Sequence, residues 1–303
     1  MGLSLNVEYA IGRKTILNYM DVVPVIKGIC TFIPGITGLI QRHAGHTTRI
    51  DSARYCYSVW LRHLVMAYKS GLKEHPKVIA ELGPGDSLGV GLAALISGAE
   101  RFLALDIVDF AYNESNNIIF DELVELFKNR TDIPDYNEFP KLKPVLDSYE
   151  FPNHILGDNY LNEALSYERI QAIRESIDLV SDDVDSGGLI SYIVPWDSYD
   201  VILENTVDMV LSQAVLEHVI DIKLAYSAMH KWLKPNGFMS HQIDFKSHGT
   251  AIDWNGHWKY PDFVWVLISG KRNYLLNRHP YSKHIQYLKN MNFKIVNEVK
   301  IKT

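Results

Sequence analysis

Val78-Ile79-Ala80-Glu81-Leu82-Gly83-Pro84-Gly85-Asp86-Ser87-Leu88-Gly89 is an apolar strand running into a glycine-rich turn, with a helix-like run from Val90 to Ser97 behind it. Glycines in such a turn let the backbone pass close beside a nucleoside-type cofactor, because they tolerate unusual dihedrals and carry no side chain. The dinucleotide fingerprint G-x-G-x-x-G requires glycine at position 88, where this chain has Leu88. The turn therefore points to a nucleoside cofactor other than a dinucleotide, with an acid, Glu81, two residues before the first glycine.

From this strand onward, short apolar runs alternate with helical ones, the pattern of an open parallel sheet. Strand 78–82 leads to a helix near 88–98; a second strand, 102–106, ends in Asp106 and is followed by helical residues 116–129. Further strands are expected at 189–194, 207–211 and 237–245, and a helix at 282–291. Between 131 and 188 lie Pro134, Pro140, Pro144, Pro152 and an acidic patch. A structureless loop of that length is improbable, so a helical insertion is expected, including 163–177. Upstream, Asp51 or Ser52 can cap a helix through Tyr57, Trp60, Leu61, Leu64 and Tyr68, with Gly71 as its stop. This aromatic face either packs on the domain or forms a lid.

At 303 residues, with 47% hydrophobic and 22% charged residues, the composition is that of a globular protein with a full core. A net charge of -6 argues against general nucleic-acid binding, which draws on a basic face. Cys30 and Cys56 have no disulfide or metal-type spacing, which fits a reducing, cytoplasmic setting. The apolar stretch 22–40 is broken by Pro24, Lys27, Pro34 and three glycines, so no transmembrane segment is expected there.

Glu81 with Gly83-x-Gly85 resembles motif I of class I S-adenosylmethionine-dependent methyltransferases, and further segments extend the likeness. Ser212-Gln213-Ala214-Val215-Leu216-Glu217-His218-Val219 resembles the post-strand S-x-x-V-L-E-H-V motif of the methyltransferase-11-like group. Trp232-Leu233-Lys234-Pro235-Asn236-Gly237 resembles its W-L-K-P-G-G turn, with Asn236 in a left-handed position that asparagine tolerates. The resemblance implies an α/β, Rossmann-like class I sheet: an N-terminal helical extension or lid over 1–75, then a cofactor-binding domain over 76–303. It places the insertion at about 131–188 and an acceptor-binding segment at about 241–285. It also implies S-adenosyl-L-methionine as cofactor, bound by Glu81, Gly83, Pro84, Gly85, Asp86, Ser212 and Gln213. Asp106 would take the ribose hydroxyls, and Trp196 and Asp197 the adenine. Sheets of this class normally finish with an antiparallel strand, whereas here a single strand-like run, 293–301, closes the chain. A longer functional polypeptide or a partner in a polysaccharide-biosynthesis complex is therefore expected.

Runs at 52–57, 241–244 and 254–258, with Asn277-Arg278, resemble the group found with bacterial surface-polysaccharide biosynthesis. That likeness implies methylation of a sugar hydroxyl in an O-antigen or capsule, on a glycan or nucleotide-sugar acceptor. Alternatives are a small-metabolite methyltransferase and a non-catalytic cofactor-binding module. A sugar hydroxyl is a poor nucleophile near neutral pH and benefits from a general base. Seven of the 12 histidines lie after residue 217. Candidate catalytic residues are His218, His241, Asp244, His248 and His257, with Asp244 beside His248 or His257 as the favoured pair. His218 with Glu217 could instead hold its loop, and His241 could be a core histidine. Candidate acceptor contacts are Arg54, Tyr57, Glu217, Trp254, Trp258, Arg278 and His284. A divalent ion on His241, Asp244, His248, Asp253 and His257 is a second reading that no compact ligand spacing supports, so no metal ligand is assigned.

Overall fold

The computed structural model describes residues 22–33, 52–109, 111, 114–182, 184, 187–196, 198–272 and 275–301. The chain divides into two compact units. The larger comprises residues 48–216, 221–243 and 286–303; the smaller comprises 1–47, 217–220 and 244–285.

The larger unit is built on one sheet. Its strands are β1 (Val78–Leu82), β2 (Arg101–Leu105), β3 (Ile190–Ile193), β4 (Val207–Gln213) and β5 (Leu233–Gln242). They pair in the order β3-β2-β1-β4-β5, and every pairing is parallel. The strands are mostly apolar because helices cover the faces of a parallel sheet. Strand order turns between β1 and β4, the point where an open α/β sheet leaves a crevice at its carboxyl edge.

Helices α1 (Ala53–Lys69), α2 (Gly89–Ile96) and α3 (Ser115–Lys128) build the core on the sheet. Ser52 caps α1, its hydroxyl accepting from the Tyr55 amide, while Asp51 lies outside the described residues. Trp60, wholly buried, donates its ring N–H to the Ser97 hydroxyl at 2.7 Å. Tyr57 is also wholly buried, edge-on to Phe127, with its hydroxyl donating to the Thr131 carbonyl. The aromatic face of α1 is therefore packing surface, and Tyr57 is spent on it rather than on an acceptor.

Several expectations need correction. The stretch 163–177 falls on two helices, α4 (Asp158–Ala164) and α5 (Tyr167–Asp178), separated at Leu165 and Ser166. Residues 131–157 hold no helix; their four prolines remove amide donors, and turns take the place of helical turns. Residues 293–301 form no strand: Val296 and Val299 are exposed, and the run is paired into no sheet. The fifth strand ends at Gln242, short of the expected residue 245. Helix α6 (Ile222–Trp232) precedes that strand, and α7 (Asp262–Ser269) and α8 (Tyr281–Asn290) follow it.

Arg62 pins the helix-free stretch. Wholly buried, it donates to the Ser58 hydroxyl at 3.0 Å and to the carbonyls of Pro134 at 2.9 Å and Pro144 at 2.5 Å. Arg62→Met keeps much of the volume but strips those carbonyls of their donor. The expected loss is about 2–3 kcal/mol of unfolding free energy, measured by urea titration; an unchanged midpoint would remove this role.

Candidate functional site

The glycine turn begins where β1 ends. Gly83 has φ +63 and Gly85 φ +73. A β-carbon on Gly83 would stand 2.6 Å from a Val215 methyl, so the backbone there is pressed directly onto a residue that follows β4. Glu81, on β1, is buried, and its Oε2 has no hydrogen-bond partner among the described residues. Burial, with Asp106 nearby, raises this carboxyl to about 8, so it holds its proton at neutral pH.

Asp106 follows the last residue of β2. Its Oδ1 accepts from the Ile107 amide at 2.7 Å, and the Gly85 amide also bonds this carboxylate. Burial raises its pKa while these amides pull the other way. The turn and the acid thus meet at the carboxyl edge of β1 and β2. Leu88, which breaks the dinucleotide spacing, is wholly buried.

Beyond β3, Trp196 is mostly buried and edge-on to Trp232, with ring centroids 5.7 Å apart. Its indole is committed to packing, which corrects the expectation of a freely stacking ring. Asp197 lies outside the described residues.

Ser212 and Gln213 end β4, and both side chains are engaged. The Ser212 hydroxyl shares a 2.8 Å hydrogen bond with His241 Nδ1, its register partner on β5. Gln213 Oε1 lies 3.0 Å from His63 Nε2, and His63 Nδ1 lies 2.7 Å from the Ser240 hydroxyl. His63 is wholly buried, and burial lowers its pKa to about 4, so it stays neutral. His241 is therefore a strand-pairing histidine, and His63 on α1 ties β4 to β5. No motif signalled His63; its position on the apolar face of α1 was the only clue.

Ala214, immediately after β4, has φ +57, a left-handed conformation that is costly for alanine. Its amide donates to the Gln242 carbonyl. Strain at this turn marks the point where the chain leaves the sheet.

The smaller unit contains the acid–base candidates other than His241. Asp244 Oδ2 lies 3.3 Å from His248 Nε2. This hydrogen bond raises the imidazole above its ordinary value of 6.5, although partial burial opposes it. The same bond holds the Asp244 carboxyl below its ordinary range. His218 and His248 have ring centroids 5.5 Å apart. Glu217 is buried; its Oε1 accepts from the Asp244 amide at 3.1 Å, and burial raises its carboxyl to about 7. Asn277 braces this loop: its amide donates to the Glu217 carbonyl at 2.8 Å and its side chain to the Val219 carbonyl at 2.7 Å.

Among the described residues, Glu217 Oε2, His257 Nδ1 and Trp258 Nε1 are buried here without a hydrogen-bond partner. His257 and Trp258 have ring centroids 4.9 Å apart, and burial lowers His257 to about 4. Trp254 lies edge-on to Trp258 at 5.8 Å and is itself 55% exposed. Arg278 donates to the Tyr260 carbonyl and to Asp262 and covers the Trp265 ring, so its guanidinium is already engaged. Buried His284 is edge-on to Phe245 and is lowered to about 4, which removes the charge an acidic acceptor would seek. In the larger unit Arg54 pairs bidentately with Glu138. Among the described residues no three His, Cys, Asp or Glu side chains are grouped to hold a metal ion.

The Asp244–His248 pair makes a titration prediction. In the folded protein His248 titrates above 6.5, measured from its imidazole resonances; Asp244→Asn moves that midpoint down. The pair's stabilisation is accordingly full between the unfolded carboxylate and unfolded histidine values, fading as pH rises through the folded histidine value and as pH falls through the folded Asp244 value. A midpoint that Asp244→Asn leaves in place removes the interaction.

Residues 168–240 match the family described as "Methyltransferase domain" (Methyltransf_11). Similar solved structures include a complex between the Haloferax volcanii Trm112 methyltransferase activator and a candidate methyltransferase. Identity there is 15% over 76% of this chain and 68% of that one, with TM-score 0.34. Haemonchus contortus phosphoethanolamine N-methyltransferase 2 with S-adenosyl-L-methionine shares 12% identity over 80% of this chain and 41% of that one, TM-score 0.37. The CurJ carbon methyltransferase shares 11% over 97% and 65%, TM-score 0.35. The chain thus spans less than two thirds of the latter two. No curated protein matches. By its matched segment and its parallel sheet, the chain carries an S-adenosylmethionine-dependent methyltransferase domain of class I topology.

Proposed function

We propose that the protein transfers a methyl group to a hydroxyl of a sugar in a surface glycan or its precursor, with His248 as general base oriented by Asp244. The observation that carries this reading is the polar set in the smaller unit. Glu217 Oε2, His257 Nδ1 and Trp258 Nε1 are buried without partners among the described residues, in the unit that holds the Asp–His pair. Buried polar atoms are normally paired, and leaving one unpaired costs about 1–3 kcal/mol. A polyol suits them, because each hydroxyl both donates and accepts. Exposed Trp254 adds an aromatic face for the ring.

The residues of the glycine turn fit S-adenosyl-L-methionine. Glu81 Oε2 is buried and unpartnered among the described residues, two residues ahead of a turn whose glycines, Gly83 and Gly85, both have positive φ. Glu81, Gly83, Pro84, Gly85 and Asp86 would hold the amino-acid portion, and Asp106 the ribose diol by two charge-assisted hydrogen bonds. Ser212 and Gln213 would contribute backbone, since their side chains are occupied. When bound, the cofactor supplies an electrophilic methyl on a sulfonium. The protein's own work is to hold the acceptor oxygen for in-line attack and to take its proton at His248. His248 Nε2 faces Asp244, so Nδ1 is the nitrogen that would take the acceptor's proton, leaving an imidazolium that the Asp244 carboxylate stabilises.

Two binding predictions test the cofactor pose. Asp106→Ala weakens S-adenosyl-L-methionine binding in calorimetry by about a hundredfold, the loss of two hydrogen bonds to a charged group. A protonated Glu81 is expected to ionise beside the cofactor's ammonium, so binding near neutral pH releases a proton. That release appears as a dependence of the heat on buffer ionisation and vanishes in Glu81→Gln. Unchanged affinity in Asp106→Ala would overturn the pose.

For the acceptor, the protein with cofactor is mixed with extracts of surface-polysaccharide precursors and the products are searched by mass spectrometry for a gain of one methylene. Trp258→Phe retains an aromatic ring but lowers acceptor affinity, and Asp244→Asn lowers turnover at unchanged cofactor affinity. A gain found only on small non-sugar metabolites would overturn the sugar reading.

A further inference from the structure

The smaller unit contains a helix over residues 22–30 whose arrangement is inverted for a water-facing helix. Its buried positions are Pro24 and Gly28, followed by Thr31 just past its end. Its large apolar side chains Val22, Ile26 and Ile29, with Ile33 beyond the end, recur at four-, three- and four-residue spacing and are exposed. Small residues inward and large ones outward is the packing used where the surroundings are hydrocarbon.

The contact with α7 explains the small residues. A β-carbon on Gly28 would lie 1.9 Å from the Leu267 carbonyl oxygen, so the two backbones touch. The Thr31 hydroxyl donates to the Gly28 carbonyl and accepts from the Lys271 amide at 2.8 Å, locking the crossing. Helix α7 likewise faces outward with Phe263 at 70% and Val266 at 64% exposure. Phe32, also exposed, lies under the Lys271 ammonium at 5.6 Å. Scattered exposed apolar residues are ordinary, but two packed helices with apolar outer stripes are a surface built for an apolar partner.

Charge selects the partner. Lys27 and Lys271 are exposed in these two segments, and neither has a carboxylate partner among the described residues. Asp262, the acid of α7, is paired with Arg278. A second copy of the chain would bring the same lysines to an apolar interface, where among the described residues the one acid of the two helices, Asp262, is already paired with Arg278. An anionic bilayer answers both: acyl chains receive the apolar stripes and phosphates receive the ammoniums. No described helix is long and apolar enough to cross a membrane, so this face would lie in the headgroup region rather than span.

We propose that helix 22–30 and α7 together form a docking face for an anionic membrane surface, independent of the acceptor's identity. The experiment is flotation of the full chain with phosphatidylglycerol-containing vesicles and with pure phosphatidylcholine vesicles, at low and high salt. Expected is recruitment to the anionic vesicles, weakened by salt. Lys27→Gln and Lys271→Gln each lower partitioning about fivefold. Ile26→Ser combined with Val266→Ser abolishes recruitment while circular dichroism stays that of the parent. Failure of the parent to float overturns the proposal, and so does recruitment indifferent to the apolar double variant. A dimer by light scattering that this double variant splits, with no vesicle binding, overturns it in favour of a self-interface.

Discussion

Gly83 has no room for a β-carbon, and the cofactor edge of the sheet depends on that constraint. The residue lies between the end of β1 and Val215, just past the end of β4, 2.6 Å from where its side chain would begin. Parallel pairing of Ile79 through Leu82 with Met209 through Ser212 sets the two strand ends side by side. Both turns must then leave the sheet through one narrow space, and one of them must be bare backbone. The left-handed alanine at 214 belongs to the same crowding. The strain at Ala214 is tolerated because the strand beneath it is largely buried and paired on both sides.

Two buried carboxyls show how the remaining residues are employed. Glu81 and Glu217 are each out of water, and each keeps one oxygen without a partner among the described residues. Desolvation raises both, to about 8 and about 7. A chain under selection for stability alone would place amides or apolar groups there. Shifted acids of this kind accumulate where a protein handles charge or protons, although structural burial also produces them. Histidines divide by the same physics. His63 and His257, desolvated, are held neutral, whereas His248, next to Asp244 and partly in water, is raised.

The strand pattern was legible in the chain because parallel strands covered by helices are short apolar runs between turn residues. Val78–Leu82 matches its expected bounds, and β2 and β3 lie within a residue of theirs. Asn236 has the left-handed φ of +67 expected when asparagine replaces glycine. Patterning failed where pairing partners matter. Residues 293–301 alternate like a strand, yet alternation alone supplies no neighbouring ladder, and none forms. The insertion is helical at 158–164 and 167–178, while its proline-rich stretch 131–157 takes its order from Arg62, a single buried cation bonding carbonyls far away in sequence.

Local chemistry in the sequence determined the glycine turn, the acids ahead of and beside it, the alternation of strands and helices, and the clustering of histidines late in the chain. These depend on residue type and short spacing, which sequence carries directly. Only the tertiary structure decided which polar side chains remain available. Ser212, Gln213, His241, Arg54 and Arg278 are consumed by partners distant in sequence or placed by the fold, while Glu217, His257 and Trp258 keep a buried polar atom without one among the described residues. Desolvation and hydrogen-bond pairing are properties of three-dimensional neighbours, so no spacing rule in one dimension could assign them.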